Sequence, residues 1–566
     1  MATPSIELIE GVTHPTRDGA ALLAADVFRP AKPGRYPTIV MRTPYDRRWA
    51  QTNNYAPPHW FAERGFVVVV QDVRGRGTST GEFYPFAHEA DDGEDCIYWA
   101  AGLPYSNGAV AMYGLSYPGA TQLQAARRAP EPLVSIAPAM TSADYHEGWT
   151  YRGGALELAF AKSWAEMLAM ATALRLGRND QYRSLAASYA ASDYSYLPLT
   201  SLQPLRESGL APYFFDWLDH PDRDGYWRKW SLRESYSTMT AAALHVGGWW
   251  DIFLSGTLTN FAGMSRAAGT GEQYCVVGPW THAIDESQNH RPGLGGVVAN
   301  PLDDLLLDWF DHTLRGATLQ NDPAPVRLFV LRANRWLGLE SWPPPGAVQQ
   351  DWFLDSGGRA NSDRGDGRLV DTPPSQSSPD RYVADPLAPV PSIGGASCCT
   401  NLIAPMGPAP QAPVETLNGV LVYTSEPVSE TVLIAGPVSA VVYAATSARD
   451  TDIVCRLCIV DRAGRSVAVS DGILRGRYRK GLDKQTPTTP HEVNEYRIEL
   501  QPTCVEIRAG ERIRLQVTSS AFPRWDVNTH TGRVIATDEP SDAVVAMQEV
   551  IHDQTCPSRL IITVLP

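Results

Sequence analysis

The sequence predicts an α/β fold built on a parallel sheet, interrupted by a helical insertion and followed by an all-β region. Six apolar runs, at 38–41, 66–70, 110–113, 134–137, 244–247 and 275–278, alternate with helical stretches, as in a parallel sheet whose strands are joined by helices. Between Trp149 and about Tyr236 the chain turns Ala-, Leu- and Met-rich, for instance over 155–170, and reads as a helical cap inserted after an inner strand. At 340–346 Pro343, Pro344 and Pro345 make a stiff linker that neither a helix nor a central strand can cross. Beyond it, apolar runs at 432–435, 438–444, 453–460, 496–500, 513–518 and 560–564 are spaced by turn residues, the pattern of a β-sandwich or jelly roll. The expected organisation is a core over 1–144 and 237–345, a cap over 145–236 and the β domain over 346–566, with no fixed-period repeat.

A chain of 566 residues is too long for one hydrophobic core, and about three domains fit its length. Its formal net charge of −14 disfavours nucleic acid and anionic membranes as partners. The opening Met1-Ala2-Thr3-Pro4-Ser5-Ile6-Glu7 has neither a charged nor an apolar leader segment, and no run approaches bilayer length, so a cytoplasmic protein is expected. The eight cysteines are dispersed apart from Cys398-Cys399 and Cys455-x-x-Cys458. The second pair lies in a strand-like run whose period of two sends the thiols to opposite faces, so buried free thiols are expected, with no metal and no cofactor.

One segment carries chemistry. The run 110–113 leads into Gly114-Leu115-Ser116-Tyr117-Pro118-Gly119-Ala120, an apolar strand that reaches a serine and turns at once into a helix. Such a turn exposes the serine Oγ while the first N–H groups of the helix aim at the same point, where an oxyanion would form. Pro118 stands where a second glycine is usual; it suits the first turn of a helix but has no N–H to donate. Ser116 is therefore a candidate nucleophile with the Tyr117 N–H as one oxyanion donor, and a second donor must come from elsewhere. A Gly-Ser turn with no chemistry would carry the same residues.

A nucleophilic serine needs a base, and the base needs an orienting carboxylate; on α/β sheets these follow on loops after later strands, in the order Ser, Asp, His. Asp251 closes the run Leu244-His245-Val246-Gly247-Gly248-Trp249-Trp250, and His282 follows Cys275-Val276-Val277-Gly278-Pro279-Trp280-Thr281. Both come at carboxyl ends of strands, where such sheets gather their chemistry. His245 lies within its strand and reads as a core residue, and Asp285 follows the histidine too closely to sit on a separate strand end. The missing donor is sought after the run 38–41, in Arg42-Thr43-Pro44-Tyr45-Asp46, where a Tyr45 O–H could serve as well as an amide. A buried structural tyrosine would look identical.

Taken in order, Arg42-Thr43-Pro44-Tyr45-Asp46, the run Gln71-Asp72-Val73-Arg74-Gly75-Arg76-Gly77-Thr78-Ser79-Thr80-Gly81-Glu82-Phe83, Gly114-Leu115-Ser116-Tyr117-Pro118-Gly119, Gly248-Trp249-Trp250-Asp251 and Gly278-Pro279-Trp280-Thr281-His282 resemble a bacterial family. It is the family of cocaine esterase, α-amino-acid ester hydrolases, glutaryl-cephalosporin acylases and X-prolyl dipeptidyl-peptidases. The resemblance spans nearly the whole chain and continues in the β region through Thr518-Ser519-Ser520 and 522–532. It implies an α/β-hydrolase core with an inserted helical cap and a C-terminal jelly roll. It also implies Ser116 as nucleophile, His282 as base and then acid, Asp251 as its orienting carboxylate, and Tyr45 O–H with Tyr117 N–H as the oxyanion hole.

The function expected is cleavage of small-molecule carboxylic esters through an acyl-enzyme; amide or Xaa-Pro peptide cleavage, or acyl transfer, would use the same triad. Amino-acid ester hydrolases of this type resemble one another in carrying extra carboxylates after the catalytic aspartate, and Ile252-Phe253-Leu254 offers none. Phe253, with Trp149 and Trp164 from the cap, fits an aromatic acyl pocket, although tryptophans packing cap against core would look the same. Glu166 is expected on a solvated helix face, with a role toward a substrate cation left open. The segment 391–399 resembles a family loop that reaches the site with bulky apolar side chains, and here Cys398 and Cys399 take those places. No nucleic-acid or membrane partner is expected, and a homo-oligomer is left open. A third reading makes the β domain a glycan- or partner-binding module beside a relic site, but every catalytic position is filled.

Overall fold

Among the described residues two large sheets, one small hairpin and a helical layer make up the molecule. The computed structural model describes residues 5–49, 55–284, 301–320, 324–399 and 404–566; Asp285 lies outside them. The first sheet is built from β1 (Ile6–Pro15), β2 (Leu22–Pro30), β3 (Tyr36–Thr43), β4 (Val67–Asp72), β5 (Ser106–Leu115), β6 (Leu133–Ala139), β9 (Ala242–Trp250), β10 (Gln273–Thr281), β11 (Val326–Val330) and β12 (Arg335–Leu339). A hairpin of β7 (Tyr151–Arg152) and β8 (Ala155–Leu156) stands apart in the cap region. The order across the sheet is β1-β2-β4-β3-β5-β6-β9-β10-β11-β12, parallel from β4 to β11 and antiparallel at both ends. This is an α/β-hydrolase core. The inner strands are apolar on both faces, as helices covering a parallel sheet require: Val67, Val68, Val69 and Val70 are all fully buried.

Helices α1 (Pro58–Glu63), α2 (Glu89–Ala101) and α3 (Tyr117–Ala126) follow the early strands. The cap then supplies α4 (Leu158–Arg175), α5 (Asn179–Ala191), α6 (Gln203–Ser208), α7 (Pro212–Asp219) and α8 (Gly225–Arg228), before α9 (Leu254–Arg266) and α10 (Leu302–Arg315) return to the core. Twelve residues of α4 are buried, because this helix lies between the core below and α5 to α7 beside it. Helix α10 has the opposite character. Its buried Leu302, Leu305, Leu306, Trp309 and Phe310 recur at helical spacing, so one face packs on the sheet and the other meets water.

The C-terminal half is β-rich. It comprises β13 (Val348–Asp355), β14 (Arg368–Val370), β15 (Asp380–Ala384), β16 (Leu421–Ser425), β17 (Val432–Thr446), β18 (Asp452–Val460), β19 (Ser466–Arg475), β20 (Asn494–Ile507), β21 (Arg512–Thr518), β22 (Ala546–Ile551) and β23 (Arg559–Val564). Nearly all neighbours are antiparallel, with β14 and β16 the parallel exception. The runs 432–435 and 438–444 belong to one strand, β17, not two: the pairing with β20 slips between Gly436 and Val438, so Pro437 sits in a bulge instead of ending the strand. Cys455 and Cys458 are buried free thiols.

Candidate active site

Strand β5 delivers Ser116 to its carboxyl end in a conformation that few residues tolerate. Ser116 has φ 68° and ψ −125°, and its N–H is held by Ala139 O at 2.9 Å. The flanking glycines follow from this bend. Gly114 has φ 143°, and a Cβ there would stand 2.4 Å from Pro118 Cβ. On the other side it is Gly119, one place later than usual, that lets α3 press against the sheet, since a Cβ would come within 3.0 Å of Thr141 Cβ and Ala139 O. Gly114→Ala is accordingly expected to cost about 2–4 kcal/mol, read as a lowered melting temperature, because it combines overpacking with a disfavoured backbone angle.

His282 and Asp251 leave the carboxyl ends of adjacent parallel strands β10 and β9, and His282 Nδ1 lies 2.7 Å from Asp251 Oδ1. The carboxylate is fully buried and the imidazole side chain 9% exposed. Asp251 Oδ2 has no hydrogen-bond partner among the described residues, so the imidazole is the group that answers this buried charge. Packing runs from His282 back toward Ser116. The Phe253 ring stands edge-on to the imidazole with centroids 5.1 Å apart and stacks on Trp149 at 4.5 Å, while Trp149 packs edge-on against Tyr117, the residue after the serine. His245 is a core residue bonded to Gln273 Oε1, and burial pulls its pKa down to about 4.

Tyr45 sits beside this group. Trp164 Nε1 donates to Tyr45 Oη at 3.1 Å, which occupies a lone pair and leaves the phenol proton free to be given. Burial raises the pKa of the phenol above its ordinary value, with Trp164 and the neighbouring Ser116 hydroxyl pulling it down, so the group stays protonated at neutral pH. The loop that carries it is pinned: Tyr45 N–H donates to Thr43 Oγ1, and Arg47 N–H and guanidinium both reach the Asp72 carboxylate. The run 71–83 thus serves as a clamp on the Tyr45 loop. Tyr117 is fixed from its far end, where its O–H donates to Glu89 Oε1 at 2.8 Å and accepts from Phe86 N–H, while Arg42 holds the other Glu89 oxygen. As the first residue of α3, its own N–H has no intrahelical acceptor.

Trp149, Trp164 and Phe253 belong to one buried aromatic cluster with Phe86, Tyr145, Phe160, Tyr213 and Trp217, and Cys398 is buried in it. Cys399 faces solvent, and its sulfur is joined to that of Cys398 in a disulfide. Glu166 is not solvated. It is 1% exposed, with both carboxylate oxygens 3.0 Å from Lys162 Nζ and one bonded to Ser188 Oγ, so a buried partner already neutralises it.

Three contacts were invisible in the sequence. Gln501 Nε2, from β20 of the β-rich half, donates to Asp251 O at 2.9 Å. Arg152 Nη2, from the cap, donates to Ile252 O at 3.0 Å, and the same guanidinium bonds Glu157. Arg76 Nε donates to Pro44 O at 2.7 Å. None has a local sequence signal, since each reaches a backbone carbonyl far along the chain. Gln501→Leu is expected to lower kcat about three- to tenfold, because it leaves the carbonyl of Asp251 unfilled and frees the loop to shift. Steady-state kinetics with a chromogenic ester would read this.

Residues 18–284 match the X-Pro dipeptidyl-peptidase (S15) family, and residues 319–561 match the X-Pro dipeptidyl-peptidase C-terminal non-catalytic domain. The chain is 34% identical to cocaine esterase of Rhodococcus sp. (strain MB1 Bresler) over an alignment of 583 positions that covers 100% of both. Among solved structures, an aminopeptidase from a marine sediment Thaumarchaeota archaeon superposes with a TM-score of 0.84 at 24% identity, covering 100% of this chain and 98% of the other. An α-amino acid ester hydrolase superposes with a TM-score of 0.82 at 24% identity, covering 100% and 97%.

Proposed function

Because this chain belongs to the serine hydrolase family that holds cocaine esterase and the S15 X-Pro dipeptidyl-peptidases, we propose that Ser116, His282 and Asp251 cleave small-molecule carboxylic esters through an acyl-enzyme. His282 takes the Ser116 proton as Oγ attacks the ester carbonyl, and Asp251 holds the ring with Nε2 turned to the reaction and stabilises the imidazolium. The carbonyl oxygen becomes an oxyanion between Tyr45 O–H and Tyr117 N–H. Collapse expels the alcohol, which receives the proton from His282; water then attacks the acyl-enzyme by the same path in reverse. The observation that carries this reading is the 2.7 Å contact between His282 Nδ1 and Asp251 Oδ1, linked by the Phe253–Trp149–Tyr117 packing to a serine held at positive φ.

The acyl group proposed is neutral and aromatic or otherwise apolar. Support comes from the Trp149–Phe253 stack against His282 and from Glu166 being occupied by Lys162, which leaves no free carboxylate there for an α-ammonium group. A place in the cytoplasm is proposed on the six free cysteines, the Cys398–Cys399 disulfide joining adjacent residues and closing no loop. No helix among the described residues is long and apolar enough to cross a membrane.

An organophosphonate tests the reading: stoichiometric labelling of Ser116, mapped by peptide mass spectrometry, is expected, and a folded protein that resists it would overturn the assignment. A panel of p-nitrophenyl esters against aminoacyl and Xaa-Pro anilides then separates ester from amide preference by kcat/KM.

A further inference from the structure

We infer that Arg76 is a positioning residue for the oxyanion site: its guanidinium ties the backbone just before Tyr45 to the cap and so sets where the phenol O–H points. The inference rests on the serine-hydrolase reading above. Arg76 Nε donates to Pro44 O at 2.7 Å, and Nη1 donates to Leu168 O at 3.0 Å and Thr172 Oγ1 at 2.6 Å. Both of the latter lie on α4, and α4 also carries Trp164, whose indole N–H holds the Tyr45 oxygen. Tyr45 is thus gripped by one helix from two ends, at its preceding carbonyl through Arg76 and at its phenol through Trp164.

The charge of Arg76 is the second part of the argument. The residue is 3% exposed, and no carboxylate stands within ion-pair distance of it among the described residues. Arg74, two places earlier, shows the contrast with its pairs to Asp92 and Asp18. The groups that bear on the Arg76 charge are the phenols of Tyr213, Tyr45 and Tyr117 and the like charge of Arg175, with the Phe83 ring 5.2 Å beneath it. A buried cation without a counter-charge is costly, and an apolar side chain would pack such a junction more cheaply. What the guanidinium supplies in return is reach: its spread of donors bridges Pro44 O on one side and Leu168 O and Thr172 Oγ1 on the other, which no apolar side chain could do.

A double-mutant cycle on the full chain, with a p-nitrophenyl ester, tests this. Arg76→Met is expected to lower kcat about tenfold with KM little changed, the signature of an interaction made in the transition state. Arg76→Lys should restore about a third of the activity by keeping a donor at this junction, and Thr172→Val should cost roughly two- to threefold. In a Tyr45→Phe background Arg76→Met should cost less than about twofold, because the group it positions is gone. Equal factors in both backgrounds would overturn the inference, as would wild-type kcat in Arg76→Met. A loss confined to substrates whose acyl group bears a carboxylate would overturn it too, making Arg76 a substrate contact. Should Arg76→Met fail to fold, by its melting curve, Arg76→Lys and Thr172→Val carry the same cycle. Turnover and Ser116 labelling of the unaltered protein, measured alongside, report separately on the serine-hydrolase reading.

Discussion

Ser116→Ala is expected to lower kcat by about a millionfold while the protein keeps its fold, because the remaining parts of a triad do little without the nucleophile. Some turnover above the uncatalysed rate, about 10³- to 10⁴-fold, should survive, since Tyr45 and Tyr117 would still polarise a bound carbonyl toward attack by water. Folding should be spared. Alanine has the same backbone cost at φ 68° as serine, and no side-chain cap is lost at the start of α3. The variant's melting temperature is therefore expected within a few degrees of the original, and its phosphonate labelling should vanish. Labelling that persists at full stoichiometry would place the nucleophile elsewhere.

Tyr45→Phe should lower kcat about 10²- to 10³-fold, equivalent to about 2.7–4 kcal/mol, with KM changed far less. The magnitude follows from what else the site can offer. Pro118 has no N–H, so in the proposed oxyanion site the Tyr117 amide would be left alone once the Tyr45 hydroxyl is gone. The substitution also strands the Trp164 indole N–H without its acceptor in a cluster where almost nothing is wet, and that adds about 1–3 kcal/mol of destabilisation. A melting curve separates the two effects: the stability loss should be partial, the rate loss should not track it. Wild-type kcat in a folded Tyr45→Phe protein would remove the phenol from the oxyanion site.

The elbow, the two loop ends and the Tyr45 segment were legible because each is a local arrangement: an apolar run, then a functional residue, then a turn. Elements whose identity depends on distant partners were not. Strand β1 faces water along most of its length, so it has no apolar run to mark it, and only pairing with β2 makes it a strand. Strand β17 looked like two because Gly436-Pro437 reads as a break until a partner strand accommodates it as a bulge. Glu166 four residues after Lys162 has the spacing of an exposed helix pair, yet α5 packs over that face and supplies Ser188 to close it. The Trp149, Trp164 and Phe253 cluster was foreseen as aromatic, whereas its stacking order against His282 depends on a cap angle that no spacing encodes.

On the proposed mechanism, Gln501 gives the β-rich half a stake in the reaction. The loop that aims the imidazole is completed by a hydrogen bond from a strand 250 residues later, so neither half owns the whole machine. Grafting this α/β core onto a foreign β partner would leave that carbonyl lone pair unanswered, and the acid would drift before any fold was lost. Inheritance of the two halves as one unit is the expected outcome of such a shared hinge.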